Sequence, residues 1–513
     1  MHTSTPPPTC FITVDLRATG RRDACGAFSR GRVRRAAAGV AFLAMICGGA
    51  MARQDDPAPA GEAAATNEPA PEQRVGPIRQ MLNDLHRALG GRKPQQPAAG
   101  DRVSDAADAD APFQLLPPSG HLFRDWFGLL PSLEEKGVTP SISFVTNLAG
   151  NPTGGLRQGF THADNLDMDF VFDFEKILGL KGASFVVDMS QRSGSSLTRD
   201  YIGNVFNVQQ VFGGSTFRLV DCAWQQQLFD DTAEFRVGRI AAGDDFLVSE
   251  YDYLFMQNAF DGNPVAVFFN SPGMTAYPNA TWGFLGKVKL LDKRMYIMGG
   301  VYNGDPGIRA NAYNGVNFSM NGPLFAMGEV GYCLNGQKGD GGLTGNYKVG
   351  FWYDNSVYTN FTTGTTTTGN WGFYGLFDQE VFALGDRSSQ RGIGVFGSLL
   401  VSPNQSISTM PWFFTAGVAA RGLFEARPED VAGFGVVFGS FSNDLQAAQR
   451  QAQLLNPSVG VQTNETVLEL TYRINLDHAS VFIQPDIQYI FRPGGTGQID
   501  NALVLGAQIG INF

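Results

Sequence analysis

Leu468-Glu469-Leu470-Thr471-Tyr472-Arg473-Ile474-Asn475, Ser480-Val481-Phe482-Ile483-Gln484-Pro485-Asp486-Ile487-Gln488-Tyr489 and Leu503-Val504-Leu505-Gly506-Ala507-Gln508-Ile509-Gly510-Ile511-Asn512-Phe513 close the chain. Each alternates apolar and polar side chains with period two, the signature of a strand with one greasy and one wet face. In the first, Leu468, Leu470, Tyr472 and Ile474 oppose Glu469, Thr471, Arg473 and Asn475. A soluble sandwich would have to bury one face of every strand. A core made of Glu469, Arg473, Asp486 and Gln488 is hard to satisfy. A membrane β-barrel inverts the problem, with lipid outside and water inside. The terminal aromatic Phe513 suits the last strand of such a barrel. If Phe170, Phe172, Leu470 and Ile509 were to meet in a dry centre, this reading would fail.

Composition agrees with an all-β chain of this kind. Only 17% of residues are charged, while Gly numbers 63 and Phe 40, as expected for alternating strands joined by small-residue loops. The net charge of −10 argues against a nucleic-acid partner, which calls for a basic footprint. No stretch reaches the roughly 18 apolar residues of a spanning helix. Five cysteines do not make a disulfide framework; three (Cys10, Cys25, Cys47) fall in a segment expected to be removed, and Cys222 and Cys333 sit in no cystine motif.

Arg30, Arg32, Arg34 and Arg35 precede the apolar run Ala36–Ala50, and Ala50-Met51-Ala52 supplies a cleavage site, so residues 1–52 read as a secretory signal peptide. Residues 53–112 are rich in Ala, Pro, Gln, Asp and Glu and read as a disordered periplasmic tether. Ile78, Met81, Leu82, Leu85 and Leu89 form a helical island within it, near 77–90. The barrel is expected over 113–513. His121 to Val138 reads as a short amphipathic helix ended by Gly137 before the first strand.

Strands are expected to begin near 138, 164, 182, 216, 231, 279, 293, 324, 344, 370, 391, 410, 432, 465, 479 and 501. About sixteen strands satisfies the even count of single-chain bacterial barrels. Connections after odd strands are mostly roughly 10–40 residues and after even strands about 2–10, matching long external loops and short periplasmic turns. No repeating unit of a propeller or solenoid is present.

Alternation also assigns faces. Leu166, Met168, Phe170, Phe172 and Phe174 should meet lipid, placing Asp167, Asp169, Asp173 and Glu175 in the lumen. Trp282, Phe284 and Val288 should point outward, with Lys287 and Lys289 inward; Ile297 and Val301 outward, with Arg294, Tyr296 and Tyr302 inward. Trp412, Phe414 and Val418 should face out, with Thr415 and Arg421 inside. The longest connection, Ala241 to about Pro278, carries Phe246, Phe255, Phe260, Phe268 and Phe269 and is too apolar for a solvated loop. Folding inward would bury these rings and narrow the pore, as general porins do between strands five and six; an external cap packed on neighbouring loops is the alternative.

The order of local motifs resembles the OprB-type carbohydrate-selective porin family. Its landmarks are Gln484-Pro485-Asp486-Ile487-Gln488-Tyr489-Ile490, Pro493-Gly494-Gly495, Tyr201-Ile202-Gly203-Asn204, Arg236-Val237-Gly238-Arg239, Ser249-Glu250-Tyr251, Ala276-Tyr277-Pro278 and Tyr302-Asn303-Gly304-Asp305-Pro306. The likeness runs from about Phe123 to Phe513. It implies an outer-membrane channel for mono- or oligosaccharides, surrounded by lipid, using no cofactor, either monomeric or homotrimeric.

A sugar offers hydroxyls and one apolar ring face, so a selective bore wants carboxylates, Arg or Lys, and aromatic rings. By parity the candidates are Asp167, Asp169, Asp173, Asp188, Asp221, Glu234, Arg236, Lys287, Lys289, Arg294, Lys348, Glu469, Arg473 and Asp486, with Tyr296 and Trp352 as aromatics and Glu250 and Tyr251 from the inserted loop. Charge pairs across the bore could instead set an ion preference, which makes a general or ion-preferring porin the competing reading. Catalysis is disfavoured: Asp244-Asp245 with Glu250 is the only concentrated carboxylate cluster, and the five histidines suit no triad. A secreted glycan hydrolase would be soluble without detergent. No metal-ligand spacing or phosphate-cradling loop is present.

Overall fold

The alternation becomes sixteen antiparallel strands, each hydrogen-bonded to its sequence neighbours, in a closed barrel. The computed structural model describes residues 111–260, 265–305, 315–316 and 318–513. The first half comprises β1 (Val138–Thr153), β2 (Gly159–Asp173), β3 (Ala183–Gly194), β4 (Thr216–Leu228), β5 (Ala233–Ile240), β6 (Thr281–Leu290), β7 (Met295–Asn303) and β8 (Leu324–Leu334). The second comprises β9 (Gly345–Thr359), β10 (Thr366–Ala383), β11 (Gly392–Val401), β12 (Trp412–Arg421), β13 (Val431–Ser440), β14 (Asn464–Leu476), β15 (Val481–Phe491) and β16 (Ala502–Asn512). β1 pairs with β16, Ser143 standing opposite Asn512 and Asn147 opposite Gln508, so no strand edge is left open. The signal peptide expected over 1–52, and the tether of 53–112 with its helix near 77–90, lie outside the described residues save for the last two positions of the tether.

The two faces separate as the alternation requires. Leu470 is 53% exposed on the outer surface, while Glu469 and Gln508 are fully buried on the inner one. Phe284, Val288, Ile297, Val301, Trp412, Phe414 and Val418 are likewise exposed outward. Phe170, Phe172 and Ile509 lie half-buried on the same outer face, not in a common core. The face assignment fails at one place. Phe174 and Glu175, expected to continue the second strand, belong to a helix, α2 (Phe174–Leu178), because Asp173 ends the strand by capping it. The Asp173 carboxylate accepts from the backbone N–H groups of Glu175 and Lys176 at 2.9 and 3.2 Å.

Connections after even strands are short, and this end of the barrel is the periplasmic one. Two of the opposite connections, 154–158 and 360–365, are also short, because β1, β2, β9 and β10 run on past their neighbours. The segment before β1 is not one helix. Arg124, Trp126 and Phe127 take positive φ, leaving only α1 (Leu129–Glu135) helical.

Upstream of α1, residues 111–120 cross the periplasmic mouth as an extended strap. At one side Phe113 N–H donates to Thr344 Oγ1 and Arg421 donates to the Gln114 carbonyl at 2.9 Å. At the other, Gly120 N–H donates to the His478 carbonyl at 2.9 Å and Leu122 N–H to that of Asn512 at 2.7 Å. Phe113 and Leu115 are buried from the strap into the barrel interior. Phe123 stacks on the terminal Phe513 at 6.0 Å.

The outward placement of Leu470, midway along β14, can be tested directly. Leu470→Arg is expected to cost about 2–4 kcal/mol of folding free energy in lipid vesicles, read from urea titration, as for a cation facing the hydrocarbon. An unchanged midpoint and slope would contradict the assignment of faces.

Candidate functional site

The bore is narrowed by two connections that fold into it. The first is the one anticipated, between β5 and β6, whose described residues 241–260 and 265–280 follow the fifth strand and carry a short helix, α3 (Ala266–Asn270). Phe246, Leu247, Leu254, Phe255, Met256 and Phe260 are all fully buried. They pack on inward-facing Trp352, Phe325, Phe396 and Tyr374. Phe255 and Phe260 stack at 4.4 Å and lie against bare backbone. A Cβ at Gly433 would come 2.5 Å from Leu254, and one at Gly435 would come 2.6 Å from Phe260. The rings therefore seat where the wall carries no side chain.

A chain segment inside a barrel loses water as a hydrogen-bond partner, so its backbone must be satisfied by the wall. Wall carboxylates do this. Glu329 accepts from Leu247 N–H at 2.8 Å. Asp378 accepts from Glu250 N–H at 3.0 Å and from Ser249 Oγ at 2.5 Å. Glu469 accepts from Met256 N–H at 2.6 Å and Gln257 N–H at 3.1 Å. Asp354 accepts from Gly273 N–H at 2.8 Å and Ser271 Oγ at 2.6 Å.

The second inserted connection, residues 195–215 between β3 and β4, was not anticipated. Glu465 holds it, accepting from Val205 and Phe206 N–H at 2.8 Å each, and Gln488 donates to the Val208 carbonyl at 3.2 Å. Gln209 reaches across to the Asn147 carbonyl at 2.9 Å. Phe206 makes an edge contact with Phe413 at 5.6 Å and joins the same apolar packing as the first insertion.

On β2 to β5 the inner wall is charged. Carboxylate oxygens of Asp167, Asp169 and Asp188 lie within 4.8 Å of one another. Tyr277, from the end of the first insertion, donates its hydroxyl to Asp167 at 2.7 Å. Burial, followed by the nearby Asp167 carboxylate, pushes the Tyr277 phenol well up, so it remains a donor. Arg236 bridges Asp221 at 2.8 Å on the wall and Asp245 at 3.1 Å on the insertion. Lys287 lies 3.9 Å from Glu234 and over the Tyr296 ring at 4.6 Å, and Tyr296 donates to Glu329 at 2.6 Å.

The candidate residues thus separate into three groups. Asp167, Asp169, Asp188, Glu234, Arg236, Glu469 and Asp486 point into the barrel but are occupied by the wall or the insertions. Trp352 and Tyr251 also point inward yet are 1% and 4% exposed, so neither offers a ring face to a solute. The insertion covers Trp352, and Tyr251 itself packs on Phe396 at 6.2 Å. Asp173 and Arg294 lie at the periplasmic rim, Arg294 paired with Asp340 at 2.5 Å, which holds the Asp340 carboxyl below its usual range. Lys287, Glu250, Tyr296 and Arg473 keep part of their surface open. Sequence reasoning missed the anchors Glu329, Asp354, Asp378 and Glu465. Each is a lone acid at an inward position of a strand, a signal that alternation carries but that gives no hint of what the acid holds.

A model of the carbohydrate-selective porin family, the OprB family, matches residues 157–513. Porin B of Pseudomonas aeruginosa is 28% identical over 439 residues, covering 79% of this chain and 94% of that protein. The solved high-pH structure of Pseudomonas putida OprB superposes with a TM-score of 0.70 at 25% identity, covering 77% of this chain and 99% of the other. The low-pH structure of the same protein gives a TM-score of 0.51 at 20% identity, which speaks to the fold alone. The closed barrel with its inward-folded β5–β6 connection and this match over most of its length place the chain in the OprB family of carbohydrate-selective porins, in the bacterial outer membrane.

Proposed function

We propose that sugars cross this porin passively, through the part of the bore that the two insertions leave open along the polar inner walls. The observation that carries the reading is the pinning of both insertions by wall carboxylates, which fixes a narrow aperture instead of a mobile loop. Selectivity in such a channel follows from aperture and from the hydrogen-bonding groups on its walls. Lys287, Glu250 and Arg473 are the charged groups we assign to the solute path, with Tyr296 beside Lys287. Many inner charges are matched in place: Arg236 with Asp221 and Asp245, and Lys287 itself with Glu234. A matched pair presents a dipole and hydrogen-bonding edges, which suits a neutral polyol better than an ion. This favours sugar passage over the ion-preferring alternative.

Reconstituted in liposomes, the protein is expected to admit glucose faster than amino acids of similar size. Equal rates would return the protein to the general-porin reading. The constriction has its own test in Glu469→Ala, which strips the acceptor from Met256 and Gln257 N–H. Each orphaned buried donor costs about 1–3 kcal/mol, so this stretch of the insertion should detach, raising single-channel ion conductance and eroding the preference for sugar. A variant that folds with the parent's conductance would show that Glu469 does not set the aperture.

A further inference from the structure

Below the insertions, between the strap and the inner wall of β14, β15, β16 and β1, lies a cavity of about 80 Å³. It adjoins the constriction directly. Gln484 donates to the Leu254 carbonyl of the insertion at 2.5 Å and accepts from Arg473 Nε at 2.6 Å. Arg473 in turn lies over the Phe482 ring at 4.3 Å, and both side chains line the cavity. The cavity thus lies directly beneath the point where β15 holds the insertion.

We propose that this cavity is a second saccharide station, on the periplasmic side of the constriction, with the strap as one of its walls. Its lining is chemically suited to a sugar: Ser143, Asn475 and Arg473 offer hydroxyl, amide and guanidinium groups, Phe482 adds an aromatic ring, and Pro117 and Ser119 close it from the strap. No carboxylate lines it, so it is not built for a cation. Ser143 Oγ is buried and has no hydrogen-bond partner in the structure, a polar group left to be satisfied by whatever fills the space. At about 30 Å³ of liquid volume per water, the space corresponds to two or three waters, room for the hydroxyls along one edge of a sugar ring. Arg473 is the only charged group in the lining, so a neutral ring binds without competing charges.

The inference deepens the carbohydrate reading and rests on it. The test is single-channel recording with glucose added to the periplasmic side of oriented channels, in the parent, in Ser143→Leu, which fills the cavity, and in Ser143→Ala, which removes only the hydroxyl. Heat-modifiable mobility on gels establishes that each barrel has folded. The parent should show glucose-dependent current interruptions. Ser143→Leu should raise the half-effective glucose concentration from the periplasmic side at least fivefold, and Ser143→Ala about two- to threefold. If Ser143→Leu does not fold, the Ser143→Ala shift alone decides. An unchanged periplasmic-side response in the folded variants overturns the station while leaving the sugar channel intact. A parent that ignores glucose from both sides removes the carbohydrate reading, and the station with it.

Discussion

Backbone amides brought inside a barrel have no water to turn to, and that requirement shapes the whole lumen. The two inserted connections place Leu247, Glu250, Met256, Gln257, Val205 and Phe206 N–H groups against the inner wall, and an inward-facing carboxylate meets each of them. An unmet buried donor would cost about 1–3 kcal/mol, so six such losses would be of the same order as the apolar packing of the rings beside them. The inner acids are therefore fixtures of the constriction before they are ligands of any solute.

This division explains why the interior has two characters. On the side of β7 to β13 the wall carries most of the aromatic side chains, and the insertion's Phe246, Phe255 and Phe260 pack on them around the anchoring acids Glu329, Asp354 and Asp378. Toward β14, β15, β16 and β1 to β5 the wall is polar, with Arg473, Gln484, Asp486, Gln488, Asn147 and Asp167 facing in. The porin is thus asymmetric in cross-section, a packed half supporting a polar half.

Much of the fold could be read from period-two alternation, because lipid outside and water inside leave each strand a face that must be greasy and one that can be wet. Strand count, closure and the inward fold of the β5–β6 connection all follow from that contrast, with Phe246 and Phe255 too apolar to stay in solvent. The errors have a common cause. Parity tells which way Trp352 points but not that another segment covers it. Alternation cannot see that Asp173 will cap a helix instead of extending a strand. The β3–β4 connection was missed because its polar residues, Asn204, Gln209 and Gln210, look like a solvated loop. They are buried by tertiary contacts that leave no local trace.

The strap, near the start of the described chain, fastens to groups far downstream, from Thr344 to His478. Its last contact, from Gly120, is to the His478 carbonyl in the turn between β14 and β15, and just beyond it Leu122 N–H meets the Asn512 carbonyl of β16 while Phe123 stacks on Phe513. The Asn512 and Phe513 contacts exist in place only once β16 has met β1. The last fastening of the periplasmic crossbar therefore follows the zipping of the cylinder, and that end of the mouth stays open until the wall is complete.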